Sequence, residues 1–262
     1  MDSVQQVFAQ DGVTATYLSS RSQFARHTHD AFGIGAIERG AQKSWSGRGH
    51  VEAGPGDVIT VNPGEVHDGA PLGAARRRWR MLYFEPQIIN ALARDLTQER
   101  AATLEFAAPV FAGNAPARRL FLALFRNLED GRSIHDMACE ETLLRLLPLI
   151  GAKAMRSYVP DAPVHKAKQR IDDHPERRTS LGELARLSGT SKFQFLRAFT
   201  RASGLTPHAY IVQKRLQRAK RLIEDGEPIV AAAAICGFAD QSHLTRTFVR
   251  SYGYTPGRLS RS

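Results

Sequence analysis

Residues 181–256 repeat themselves, and this repeat constrains the fold more than any other feature of the chain. Leu181, Leu184, Ala185, Leu187 and Gly189 recur 48 positions later as Ile229, Ala232, Ala233, Ile235 and Gly237. Beyond the glycine the offset becomes 49: Ser191, Phe195, Arg197, Phe199 and Gly204-Leu205-Thr206-Pro207 return as Asp240, Leu244, Arg246, Phe248 and Gly253-Tyr254-Thr255-Pro256. One inserted residue in a turn explains the step. Ser191 and Asp240 then become equivalent N-caps, whose side-chain oxygens meet free backbone N–H groups. Gly189 and Gly237 fall in the turns, where a positive φ is needed. Each unit reads as helix, tight turn, helix, the pattern of a paired DNA-binding helix-turn-helix.

Charge supports a polyanionic partner for this part of the chain. Residues 1–159 carry 18 Lys+Arg against 17 Asp+Glu, whereas residues 160–262 carry 18 against 9. In the second helix of the first unit, Phe195 and Phe199 stand four apart and face a core. Lys192, Phe193, Gln194, Leu196 and Arg197 remain to meet DNA. In the second unit Leu244 and Phe248 take the core role, and Gln241, Ser242, His243, Thr245 and Arg246 remain. Arg pairs bidentately with guanine, Gln with adenine, and Phe193 and Leu196 suit a thymine methyl. Pro207 to about Glu224 reads as one helix of ~27 Å, a strut between two heads that reach successive major grooves ~34 Å apart. Lys214, Arg215, Arg218, Lys220 and Arg221 along it are expected at phosphates.

Residues 165–262 resemble the DNA-binding domain of the AraC/XylS family of bacterial transcription regulators. The resemblance is carried by Ser191-Lys192-Phe193, Arg197-Ala198-Phe199, Gly204-Leu205-Thr206-Pro207, the run Ile235 to Phe248, and the closing Tyr254-Thr255-Pro256. It implies that the segments 191–200 and 240–250 enter the major groove. The alanine-rich stretch Pro228 to Ile235 departs from the family pattern and is expected to soften packing there.

The first ~110 residues change character. Phe32 to Glu38, Val58 to Val61 and Met81 to Phe84 read as short strands between Gly and Pro turns, which suits a sandwich or barrel. Pro116 to Asp130 and Ile134 to Leu149 carry helical apolar stripes broken at Asp130-Gly131. The expected fold is α+β and multidomain: a cupin-like β-sandwich or barrel over 1–112, a helix pair over 113–156 that either dimerises the chain through residues such as Leu124 and Leu143 or packs them onto the barrel, a linker over 157–164, and an all-α domain over 165–262 with two helix-turn-helix units.

His27-Thr28-His29-Asp30, Gly40, Gly56-Asp57-Val58, Asn62-Pro63-Gly64-Glu65-Val66-His67 and Trp79 to Tyr83 resemble the cupin-like sensor that precedes the DNA-binding domain in that family. His-x-His puts two side chains on one strand face, and His67 from a neighbouring strand completes a possible His₃ set for zinc or iron. Metal-binding cupins carry a Glu four residues beyond the second His; here Gly33 stands there. The second motif is also one residue short between Pro63 and His67. The expectation is therefore that His27, His29 and His67 bind a small-molecule effector through hydrogen bonds, with no metal and no cofactor; metal-holding and purely structural roles stay open. Glu38 and Arg80 are expected at the rim.

Gly33-Ile34-Gly35 lacks the third glycine of a dinucleotide loop, and no catalytic arrangement stands out. Cys139 and Cys236 read as buried hydrophobes. The polar stretch Met1 to Gly12 and the lack of an apolar run of ~20 residues argue against a secretory signal and a membrane partner. These features predict a cytoplasmic, dimeric, effector-responsive regulator that partners duplex DNA; the family resemblance implies that it is an activator and so partners RNA polymerase. A cupin-type metalloenzyme with a basic helical domain is the alternative.

Overall fold

Alternating side chains in the first half build two antiparallel sheets. The strands are β1 (Ser3–Gln10), β2 (Val13–Ser20), β3 (Phe24–His27), β4 (Phe32–Arg39), β5 (Ala41–Ser46), β6 (Gly49–Ala53), β7 (Val58–Val61), β8 (His67–Leu72) and β9 (Arg77–Phe84). After them come α1 (Pro86–Thr97), β10 (Thr103–Phe106), β11 (Val110–Phe111), α2 (Ala115–Glu129), α3 (Met137–Leu149) and β12 (Ala152–Met155). The computed structural model describes residues 3–47, 49–97, 103–155 and 162–259. One sheet has the order β1-β2-β9-β4-β7-β11, the other β3-β8-β5-β6, and β10 pairs with β12.

The six-stranded sheet buries both faces. Val13, Ala15, Ile34, Ala36, Leu82 and Phe84 share one core with Phe121, Leu124, Phe125, Leu143, Leu146 and Leu147 of the helix pair. Trp79, Met81 and Tyr83 alternate to the opposite face of β9, where Trp79 meets Phe24 and Tyr83 meets His29. The helices thus pack on the sheet's outer face and leave the inner face to the second sheet. Leu124 and Leu143 are 0% exposed within the single chain. This corrects the expectation that they form an interface between copies: the surface they need is supplied by the sheet, and each such side chain adds ~1.5–3 kcal/mol. The apolar stripe of α3 also starts later than expected, since Met137 is 82% exposed and the buried side begins at Cys139. Glu38 and Arg80 pair with each other on the helix side, the guanidinium lying 4.6 Å from the Tyr17 ring centroid and 5.2 Å from that of Phe125.

Residues 1–157 and 158–262 form separate compact units. Of the expected linker, residues 157–161 lie outside the described residues, and α4 (Ala162–Asp173) already begins at Ala162. Pro163 fits its first turn, where a missing N–H costs nothing. Next come α5 (Leu181–Leu187), α6 (Lys192–Ser203), α7 (Pro207–Glu224), α8 (Ile229–Ile235), α9 (Gln241–Tyr252) and a 3₁₀ turn at Pro256–Arg258. Phe195 packs on Phe199 and Phe199 on Tyr210; Phe248 meets Tyr252 and Tyr254. In α8 the buried residues are Ala232 and Ala233, so the alanine-rich stretch presents small side chains to its neighbours.

Candidate nucleic-acid interface and sensor cluster

The repeat appears as two helix-turn-helix units, α5–α6 and α8–α9. Gly189 and Gly237 turn with φ of +64° and +76°, a region that costs other residues 1–2 kcal/mol by rough estimate. Ser191 Oγ accepts from Gln194 N at 3.2 Å, and Gln194 Oε1 accepts from Ser191 N at 3.1 Å, closing a capping box. Asp240 Oδ1 accepts from His243 N at 2.6 Å. Both helices end on left-handed glycines, Gly204 and Gly253.

The core and outer faces divide as expected. Phe195, Phe199, Leu244 and Phe248 are buried, while Lys192, Phe193, Gln194, Arg197, Gln241, Ser242, His243 and Arg246 are exposed and Leu196 is half-buried. Phe193 is 67% exposed, a high value for so large an apolar ring, and the Arg197 guanidinium lies 5.7 Å from its centroid. Two side chains are partly committed. Gln194 has its oxygen in the cap, so a bidentate adenine pair, which uses oxygen and nitrogen together, requires the box to open. The His243 ring sits 5.3 Å from Phe238 and its Nδ1 accepts from Ala239 N at 3.4 Å.

Three of the expected phosphate contacts are paired within the chain. Lys214 pairs with Asp172 at 3.1 Å, Lys220 with Glu224 at 3.0 Å, and Arg218 with Glu176. All three cations are half-buried against these carboxylates. Arg215 turns inward and donates to Pro175 O at 2.7 Å, Glu176 O at 3.1 Å and Gly237 O at 2.7 Å. It thereby ties the segment after α4 to the turn of the second unit. Burial alone raises the Asp172 carboxyl, but the Tyr210 hydroxyl, Lys214 and Lys168 outweigh it and hold the group below its ordinary value. Arg221, also on α7, is exposed, and so are Arg201 and Arg250, one turn beyond Arg197 and Arg246 on the same helix faces. Arg201 and Arg250 are themselves 49 residues apart, so the repeat spacing was the signal that could have found them.

In the first unit the topology gathers the three predicted histidines. His27 and His67 are direct partners across β3 and β8. Ring centroids stand 4.3 Å apart for His27–His67, 4.9 Å for His27–His29 and 5.1 Å for His29–His67. One ligand nitrogen from each lies within 4.8 Å of the others. His27 Nδ1 donates to Ala25 O at 2.8 Å, and His67 Nδ1 to Glu65 O at 3.1 Å. A carbonyl only accepts, so both rings carry the proton on Nδ1 and a lone pair on Nε2. Burial, and then His67 beside it, push His27 down to about 3; burial lowers His67 too. Tyr83 is a member that sequence reading missed. It pairs with Gly33 across β4 and β9, and its ring centroid lies 4.5 Å from that of His29. A Cβ on Gly33 would come within 3.1 Å of Met81 Cε and 3.2 Å of Tyr83 Cε1. Those two side chains therefore crowd the place where a metal-binding cupin carries its carboxylate.

Comparison with known proteins agrees with this geometry. The model of the AraC-like ligand binding domain matches residues 12–147, and that of a helix-turn-helix domain matches residues 184–262. The chain belongs to the AraC family. It is a transcriptional regulator with a ligand-binding domain and a helix-turn-helix DNA-binding domain. Among its relatives, the HTH-type transcriptional regulator YbfI of Bacillus subtilis is 29% identical over 230 residues, 85% of this chain and 82% of that one. The HTH-type transcriptional activator RhaS of an Enterobacter species is 24% identical over 252 residues, 91% of this chain and 88% of that one. The crystal structure of apo ToxT K231A from Vibrio cholerae shares the fold with a TM-score of 0.62 at 12% identity, covering 95% of this chain and 96% of that one. None of these supports the metalloenzyme alternative. Among the described residues, no helix of this AraC-family regulator is long and apolar enough to cross a membrane.

Proposed function

We propose that this regulator reads duplex DNA with α6 and α9 and activates transcription in response to an effector bound near His27, His29 and His67. The observation that carries the reading is the repeated outer face: Arg197 with Arg201, and Arg246 with Arg250, stand exposed at the same positions of two capped helices. Arg197, Arg246, Gln241 and Ser242 meet base edges; Phe193 and Leu196 meet thymine methyls; Lys192, Arg201 and Arg250 meet phosphates. Gln194 and His243 act mainly through the helix starts they brace. Activation follows the named role of the RhaS relative and brings RNA polymerase in as a partner. The protein works in the cytoplasm, where the duplex is. It acts as a homodimer, and its contact between copies uses surface other than the buried Leu124 and Leu143.

Binding of the full chain to its mapped genomic sites tests the reading. Affinity falls steeply with salt, because phosphate contacts release counterions. Arg197→Ala and Arg246→Ala each relax preference at different bases. Uniform loss at every sequence, with preference intact, overturns the base-reading assignment.

A further inference from the structure

The guanidinium of Arg215 is a point where directional bonds join the two helix-turn-helix units. All three of its nitrogens donate to backbone carbonyls: Nε to Pro175 O at 2.7 Å, Nη1 to Gly237 O at 2.7 Å and Nη2 to Glu176 O at 3.1 Å. Pro175 and Glu176 lie in the segment that leads from α4 into α5, and Gly237 lies in the turn that leads from α8 into α9. Glu176 turns its carboxylate to Arg218 and His174, which holds the same segment from a second side. The clamp is also tight: a Cβ on Gly237 would stand 2.8 Å from Glu176 O and 3.2 Å from Arg215 Cζ. α7 touches each reading helix as well, through Tyr210 packed on Phe199 of α6 and Gln213 Nε2 donating to Ser251 Oγ of α9 at 3.3 Å. Those contacts set how far each head stands from the strut. Rotation of one head about the strut is resisted by the fork, because a guanidinium is planar and its donors point in fixed directions.

We propose that Arg215 is a positioning residue that fixes the angle between α6 and α9, and thereby the spacing of the two base segments one chain accepts. The proposal rests on the reading that both helices enter the major groove. B-DNA turns about 35° and rises about 3.4 Å per base pair. One base pair added between the segments therefore carries the second out of register with a head held at a fixed angle, whereas a head free to rotate follows it. Arg215 adds selectivity for spacing in this way without meeting a base or a phosphate. Lysine cannot replace it, since an ammonium is a point charge without a fork.

The test uses the full chain on a genomic site that it binds, and on that site lengthened or shortened by one base pair between the two segments protected in footprinting. The quantity read is the ratio of affinities for native and altered spacing. In the wild type an altered spacing weakens binding roughly tenfold or more, since one head loses its base contacts. In Arg215→Met and Arg215→Lys the ratio falls below about threefold, because a head that turns keeps those contacts, while circular dichroism still shows a folded chain. Arg201→Ala, at an exposed arginine of α6, lowers affinity at every spacing and keeps the ratio. If the Arg215 variants behave like Arg201→Ala, the residue is merely structural and the inference falls, with two-headed reading intact. If both Arg215 variants fail to fold, the residue holds the fold rather than the angle, and the inference falls again. A wild type indifferent to spacing removes two-headed reading itself, and the inference with it.

Discussion

The two helix-turn-helix units share a skeleton and differ in almost everything attached to it. In the first, both helices start with reciprocal capping boxes, Ser180 with Glu183 and Ser191 with Gln194. In the second, α8 starts at Pro228 without a side-chain cap and α9 relies on Asp240 alone. The first turn is open around Gly189, whereas Gly237 is pressed against Glu176 O and Arg215. The first outer face offers an aromatic ring beside an arginine; the second offers Gln241, Ser242 and Arg246. The comparison teaches that buried spacing and turn glycines suffice to repeat the fold. The second unit then draws part of its support from Arg215 and the segment after α4 rather than from its own caps.

The largest expected effect tests the shared skeleton. Phe199→Ala and Phe248→Ala, both 0% exposed before truncation, should each cost ~3–5 kcal/mol. Denaturant melts followed by DNA binding check this, and a cost below ~1 kcal/mol for either would mean that its unit is not held by that ring. The glycines come next. Gly189→Ala should cost ~1–2 kcal/mol from its positive φ alone. Gly237→Ala should cost a further ~1–3 kcal/mol of overpacking, because its Cβ would lie 2.8 Å from Glu176 O. Equal costs would show that the second turn is not braced.

Arg197→Ala and Arg246→Ala should each lose ~1–3 kcal/mol at the cognate site and relax different positions of it. Arg201→Ala and Arg250→Ala should lower the salt dependence by about one unit each without changing preference. Lys220→Ala should leave that slope unchanged, since its charge faces Glu224; a lower slope would return Lys220 to the phosphates. The smallest effect concerns the caps: Ser191→Ala and Asp240→Ala should each cost ~1 kcal/mol. Only the second should shrink with added salt, because only Asp240 brings a charge to the helix N-terminus.

Much of this was legible in the chain itself. Offsets of 48 and 49 located both turns, both N-caps and the buried pairs, because helix geometry is local and a φ above zero nearly requires glycine. The helix over 207–224 follows the same logic, with Pro207 in its first turn. His-x-His was read as a pair on one strand, whereas β3 ends at His27 and His29 follows it outside the strand. The strand register alone set His67 opposite His27 and Tyr83 opposite Gly33. Periodicity announced that 120–128 and 137–147 hide an apolar side, but not what covers it; the six-stranded sheet does. The basic strut looked free for phosphate because Asp172 and Glu176 lie about forty residues before Lys214 and Arg218. A residue's own neighbours in sequence determine its backbone and its likeliest face, whereas the partner of a charge or an apolar stripe is chosen by segments that only the folded chain brings near.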